Sequence, residues 1–335
     1  MNATPLEDAN AALRPEEFAE AADAAIGDAL NQAPEARLGV LAAAGLFGIC
    51  ADEASGGLGL PLGFAVPVVQ AAGRLRLRLA LAEQIVLARH LPDPALRSAL
   101  VEGRHSASIA CQGHIGQAWV GHARHAGQAH WMLVRGPDEG GGPSALLLDL
   151  AHAPQQADPA LDPEEPLTWW DLSAAPVLAR LDAAATEALW HDLEILLAAT
   201  AHGAAEGALQ AAVSHTGTRV QFDAPLSSRQ AVRHWLARMK LYHEASGAAI
   251  ARALQRNEWG QARPGRTALA LNLQHGAFII EKAMHLHGGM GFTWELPLHR
   301  ALRELRAIDA AVGAGGLARG LGRDFIEQQP LKEAA

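Results

Sequence analysis

From residue 183 onward the chain carries four long stretches, Ala184 to Ser214, Ser228 to Asn257, Arg266 to His287 and Pro297 to Gln328, separated only by short breaks. Apolar residues recur in them at three- and four-residue steps, the spacing of one face of an α-helix. Helices of that length joined by short connections have one economical solution: each buries its apolar stripe against its neighbours, as a bundle. Ser228 stands where it can cap the second helix, and Thr216 to Pro225 supplies the break before it.

Upstream, the period changes twice. Glu16 to Leu30, Ala33 to Leu46 and Leu62 to Leu91 are rich in Ala, Leu, Glu and Arg and keep the helical step, with Gly56-Gly57-Leu58-Gly59-Leu60-Pro61 as a loop between helices. Between residues 105 and 182 the signal becomes short apolar runs, Ser106 to Cys111, Trp131 to Val134 and Ala145 to Leu150, which read as strands. The tip Gly140-Gly141-Gly142-Pro143 and the proline-broken segment Ala151 to Pro166 read as loops. The expectation is an α+β chain that is mostly α: an N-terminal helical domain over 1–104, a small middle β-domain over 105–182 and a C-terminal helical bundle over 183–335.

Composition removes several function classes. At 335 residues and 50% hydrophobic the chain can bury a large core. Its formal charge is −9 and no two Lys or Arg are adjacent, which argues against a nucleic-acid backbone as partner. The longest apolar run, Leu38 to Ala51, is shorter than the roughly 18 residues that cross a bilayer, so no membrane insertion is expected. The acidic N-terminus has no basic-then-apolar leader pattern, and a cytoplasmic location is expected. Cys50 and Cys111 share no metal-type spacing and are expected as reduced thiols. The histidines His114, His122, His125 and His130, and the pair His285 and His287, lack the compact Cys or carboxylate company of a structural metal site, so no metal is expected.

Two segments carry a chemical message. The first is Thr218-Arg219-Val220-Gln221-Phe222-Asp223-Ala224-Pro225-Leu226-Ser227-Ser228-Arg229-Gln230; the second, closing the third long helix, is His285-Leu286-His287-Gly288-Gly289-Met290-Gly291-Phe292-Thr293-Trp294-Glu295. A cation and a Gly-Gly turn suit an anionic group, because glycine lets backbone N–H groups approach closely. In order and spacing the two segments resemble the C-terminal domain of the acyl-CoA dehydrogenase family, which reads R-x-Q/T-F-G-x-P-[LI]-x-x-x-Q and then Q-x-x-GG-x-G-[FY]. The resemblance runs from end to end, and its N-terminal loop P-E-E-x-G-G-L-G has a counterpart in Ala51 to Gly59. It implies FAD as cofactor and an acyl-CoA as substrate, with an electron-transferring flavoprotein as redox partner. Arg219, Gln221, Phe222, His285, Gly288 and Gly289 would then serve the pyrophosphate and adenine end of a neighbouring subunit's flavin. His285 stands where the family has Gln, Asp223 where it has Gly and Arg229 where it often has Phe.

The segments that would hold this chain's own flavin ring depart further. Ser106 to His114 occupies the place of a strand ending in T/S-E-P-x-x-G-S-D, yet has no Glu-Pro or Ser-Asp, and nothing before Gln128 to Val134 matches the following K-x-W/Y-I-T/S segment. The base is missing from its usual place too, since the Glu of the Y-E-G-T segment falls on Val312 within Ala311-Val312-Gly313-Ala314. An alternative position on the first helix of the C-terminal domain falls on Leu193, leaving adjacent Glu194 as a candidate base or a solvated helix-face charge beside Asp192. Adjacent helical residues point about 100° apart, so Glu194 needs the helix rotated to serve. Glu295 is expected in a structural turn and Glu304 on an exposed helix face. Trp169-Trp170 could line an acyl pocket or simply pack in the sheet.

Such selective loss resembles the smaller, degenerate subunit of the bacterial heteromeric acyl-CoA dehydrogenases that shorten steroid or other bulky side chains. The implied function is FAD-dependent α,β-desaturation of an acyl-CoA thioester, with a paralogous acyl-CoA dehydrogenase subunit as partner supplying the base. A self-sufficient homo-oligomer using Glu194 and a non-catalytic scaffold subunit are the alternatives.

Overall fold

The computed structural model of the protein describes residues 13–117, 119–121, 123–137, 143–158, 162, 164 and 166–327. His122, the Gly140 to Gly142 tip, Pro159, Pro163 and Gln328 lie outside them. The N-terminal helices are α1 (Glu17–Leu30), α2 (Pro34–Ala43), α3 (Ala65–Leu75), α4 (Leu81–His90) and α5 (Pro94–Val101). The strands are β1 (Ala107–His114), β2 (Trp131–Arg135), β3 (Ala145–Asp149), β4 (Gln155–Asp158), β5 (Leu167–Trp170) and β6 (Val177–Leu181). Next come α6 (Ala183–Thr218), a two-residue-per-strand hairpin of β7 (Val220–Gln221) and β8 (Ala224–Pro225), α7 (Gln230–Ala253), α8 (Gly265–Leu286), α9 (Leu298–Ala311) and α10 (Gly316–Glu327).

Two of the expected helices are broken, each for a local reason. Leu62 to Leu91 divides into a short 3-10 turn, α3 and α4, because Leu75-Arg76-Leu77-Arg78-Leu79 alternates with a period of two, which no helix face accommodates. Leu77 turns inward while Arg76 adopts left-handed backbone (φ 58°) and closes α3. Pro297 to Gln328 divides into α9 and α10 at Val312 to Gly315, where Gly313, Ala314 and Gly315 all have positive φ and the Asp309 carboxylate accepts the Gly315 N–H at 2.8 Å. Ser228 does not cap α7. Its hydroxyl donates to the Pro225 carbonyl at 2.7 Å, and Arg229 occupies the cap position without capping α7 through its side chain. The proline-broken segment before β5 contains β4, so Ala151 to Pro166 is not wholly loop.

The main sheet has the order β1-β2-β3-β6, with β1 and β2 parallel and the other pairs antiparallel; β4 and β5 form a separate antiparallel pair. Alternation sorts its side chains into two cores. Ile109, Trp131, Leu133 and Leu147 join the helices, whereas Met132, Val134, Leu146, Leu148 and Trp170 form a second cluster on the far face. Trp170 is thus a packing residue, and Trp169 lies against Gly121. Gln84 of buried α4 ties helices to sheet: its amide donates to Leu100 and His105 carbonyls at 3.1 and 2.9 Å, and its oxygen accepts the Ala107 N–H at 2.9 Å.

Helix α6 is the axis of the molecule. Asp182 caps it by accepting the Ala185 N–H at 2.9 Å, and Ile195 to Ala205 is buried without interruption. Helix α8 runs parallel to it, since Gly265 at its start lies against His191 and Glu194 while His287 just past its end stacks on His215. Two histidines face each other inside the bundle, with the rings of His202 and His243 stacked at 3.9 Å. Burial, then the nearby His243, push His202 down to about 4. Its folded value lies below its unfolded one, so this contribution to stability is complete above about pH 6.5 and is lost as pH falls towards 4. Chemical denaturation at pH 7 and pH 5 should therefore show lower stability at pH 5, and His202→Gln should flatten that slope. Among the described residues no helix is long and apolar enough to cross a membrane, and Cys50 and Cys111 are unpaired and buried.

Candidate functional site

The two motif segments meet at one end of the bundle because α6 and α8 are parallel and finish together. His215, one turn before Arg219, stacks on His287, the residue before Gly288, with ring centroids 4.2 Å apart. Burial, followed by the charges of His287 and Arg219, lowers the His215 pKa. Beyond α6 the chain turns back through β7 and β8, pairing Val220 with Pro225 and Gln221 with Ala224. Phe222 and Asp223 fill the turn with φ of 53° and 61°, the mirror-image geometry that two-residue hairpins favour and that glycine would adopt without strain. Arg229 braces it, donating to the Gln221 and Phe222 carbonyls at 3.1 and 3.0 Å. This is what Arg229 and Asp223 do at positions where the sequence departs from the family pattern.

All six candidate contacts, Arg219, Gln221, Phe222, His285, Gly288 and Gly289, are exposed. Phe222 is 87% exposed, which excludes a role in this chain's own core. Among the described residues the Arg219 guanidinium has no hydrogen-bond or ion-pair partner. Gly288 closes α8 with φ +64°, and neither it nor Gly289 has anything in front of its missing side chain. Gly291 differs, because a methyl group there would collide with the Met284 carbonyl, so it is fixed by packing. A cation without a counter-ion, two open glycines and an exposed aromatic ring, over which the Arg229 guanidinium lies at 5.9 Å, suit an anionic, planar group presented from outside the chain.

A second feature is a cleft whose rim, at Glu35 and Gln128, is exposed. A cavity of about 1250 Å³ lies between the α3–α4 link, the start of β1, the segment 123–130, the β4–β5 pair and α9. Apolar walls from Leu75, Leu77, Leu79, Leu167 and Ala307 alternate with arginines and the acids Glu35, Asp162, Glu164 and Glu304. None of the six motif residues lines it, and neither Trp169 nor Trp170 does. At its floor Arg124 sits between two carboxylates, donating to Glu83 at 2.7 Å and to Glu304. His125 lies 3.6 Å from Glu304. Burial pushes the Glu304 carboxyl up, but Arg124 and then His125 outweigh it and hold the group well below the usual carboxylate range. Glu304 is therefore not the exposed helix-face charge that its sequence suggests: its side chain is 19% exposed and ion-paired. The one sequence signal for this triad is Glu83, which interrupts the mostly apolar start of α4; Glu304 lies among the charges of α9, and Arg124 lies in an irregular segment with no period to read.

The other acids are also placed. Glu194 is not a solvated charge. It is half-buried against Gly265, accepts the Arg266 N–H at the start of α8, and its pKa is raised by burial against the opposing charges of His191, Arg266 and Arg135. Its position at a helix N-terminus gives it a structural role there. Neighbouring Asp192 is equally occupied: burial raises its carboxyl, but His191 at 3.2 Å, His90 at 2.8 Å and Arg89 at 3.1 Å outweigh it and hold the group at about 2. Val312 packs on the main core, and Gly313 beside it approaches Gln112 of β1. Glu295 is exposed on the turn after α8.

Residues 187–324 match the acyl-CoA dehydrogenase C-terminal domain family. Among curated relatives, the acyl-CoA dehydrogenase FadE34 of Mycobacterium tuberculosis is 30% identical over 291 residues, covering 82% of this chain and 40% of FadE34. The acyl-CoA dehydrogenase IpdE2 of the same organism is 36% identical over 145 residues, 39% of this chain and 45% of IpdE2. The matched region thus spans less than half the length of either relative. Among solved structures, a steroid acyl-CoA dehydrogenase variant, Tcur3481-Tcur3483, is 25% identical with a TM-score of 0.79 and covers 93% of this chain and 98% of its own. The ChsE4-ChsE5 complex of M. tuberculosis shares the fold at 20% identity, TM-score 0.79, over 98% of this chain and 99% of its own.

Proposed function

Because the chain belongs to the acyl-CoA dehydrogenase family, we propose that it is the smaller, flavin-assisting subunit of a heteromeric acyl-CoA dehydrogenase. The reaction is FAD-dependent α,β-desaturation of an acyl-CoA thioester, and a paralogous subunit supplies the catalytic base. The observation that carries this reading is the exposed constellation around the unpaired Arg219 guanidinium at the shared end of α6 and α8. Arg219 neutralises a pyrophosphate, Gly288 and Gly289 let backbone approach it, and Gln221, Phe222 and His285 face the adenine end. When bound, FAD supplies the acceptor for the β-hydride. The α-proton needs a carboxylate opposite it, and this chain has Val312 at the usual position while Glu194 is engaged with the start of α8. That division of labour supports a partner's base. The steroid enzyme and the ChsE4-ChsE5 complex among the structural relatives support a heteromer and a bulky acyl group.

The visible absorption spectrum of the chain purified alone, then with a paralogous subunit, tests the reading. A colourless chain that becomes part of a yellow complex is the expected result; near-stoichiometric flavin on the chain alone would overturn it and return Glu194 to candidacy. Within the complex, Arg219→Ala should weaken FAD retention about ten- to a hundredfold, the loss expected for one hydrogen-bonded charge on a phosphate. Unchanged flavin content after gel filtration would remove Arg219 from the site.

A further inference from the structure

The cavity beside α9 contains more positive charge than it neutralises. Arg78 and Arg300 share Glu164, at 2.7 and 2.5 Å, and Arg303 takes Asp162 at 3.2 Å. Arg76, which lines the same cavity, is half-buried, and its one polar contact among the described residues is a long hydrogen bond (3.4 Å) to the Pro297 carbonyl. No carboxylate among the described residues lies within ion-pair distance of it, and its charged neighbours are the like-charged Arg300 and Arg78. A guanidinium withdrawn from water with no counter-ion is costly unless an anion completes it.

The backbone adds an independent observation. Arg76 ends α3 in the left-handed region (φ 58°, ψ 50°), at a helix terminus where glycine is usual and a side chain is strained. The fold accepts that strain and thereby aims a guanidinium into the cavity.

We propose that this cavity binds an amphipathic anion: an apolar body lies along Leu75, Leu77, Leu79 and Ala307, and its carboxylate or phosphate head docks on Arg76. Arginine suits either head, because its planar fork matches both. Nothing in this site depends on flavin, so it is tested on the full chain alone and its outcome is separable from that of the interfacial-flavin reading.

The experiment is calorimetric titration with sodium decanoate, decyl phosphate, decanol and inorganic phosphate, on the wild type and Arg76→Gly. Decanoate or decyl phosphate should bind at least tenfold more tightly than decanol or inorganic phosphate, less tightly as salt rises, and the tighter of the two identifies the head group. Arg76→Gly relieves the left-handed strain, so its Tm should equal or exceed that of the wild type while the anionic preference disappears. Equal binding of decanoate, decyl phosphate and decanol, or an Arg76→Gly protein that keeps the preference, would overturn the proposal.

Discussion

Arg124→Met is expected to cost about 3–5 kcal/mol of folding stability at pH 7, the range for removing one partner of a buried ion pair. The Arg124 side chain is 4% exposed and Glu83 3%, so the substitution strands Glu83 and Glu304 as facing carboxylates with little access to water. The pH dependence separates this from simple loss of packing. In the wild type, the folded Glu304 value lies below the unfolded one, so its contribution is complete above the ordinary carboxylate range, near pH 4.3, and is lost as pH falls. In the variant, burial is no longer opposed by Arg124, and protonation at low pH relieves the repulsion. Urea unfolding should therefore show the gap between wild type and Arg124→Met narrowing from pH 7 to pH 4.5. A gap that stays constant would mean that packing, not charge, governs the site.

Gly203→Ala and Gly73→Ala should each destabilise by about 3 kcal/mol, the upper end of the overpacking range, because the obstacle is backbone in both cases. A methyl group on Gly203 would land on the Gln70 carbonyl, and one on Gly73 would land on the Thr200 carbonyl. The pair lets α3 and α6 cross in backbone contact, with no flexible side chain at the point of collision to give way. Both substitutions separate the same two helices, so the double variant should lose less than the two singles together. Thermal unfolding of the three variants checks this; a full sum would mean that the two glycines relax independently.

Gly73 and Gly203 mark the boundary of what a sequence discloses. Each sits in an ordinary helical pattern, where glycine reads only as a weak helix former. The period itself was informative: the change from three- and four-residue steps to short apolar runs and back marks the helix, strand and helix regions, and the motif segments around Arg219 and Gly288 were visible as linear patterns. Breaks that followed from a local rule were also present, such as the two-residue alternation of Leu75 to Leu79 and the glycines of 313 and 315.

What needed the tertiary structure were relations between residues far apart in the chain. The parallel course of α6 and α8 brings His215 onto His287, so that two separate motifs become one surface. Glu304 reads as a surface charge on α9, yet the irregular segment between β1 and β2 delivers Arg124 to it across 180 residues. Glu194 and Asp192 look alike in sequence, but α8 begins on one while Arg89 and His90 close on the other. Periodicity is a property of neighbours along the chain and fixes which face of an element is apolar. The protonation, pairing and exposure of a polar side chain depend on what another element places opposite it, and that is decided only when the elements pack.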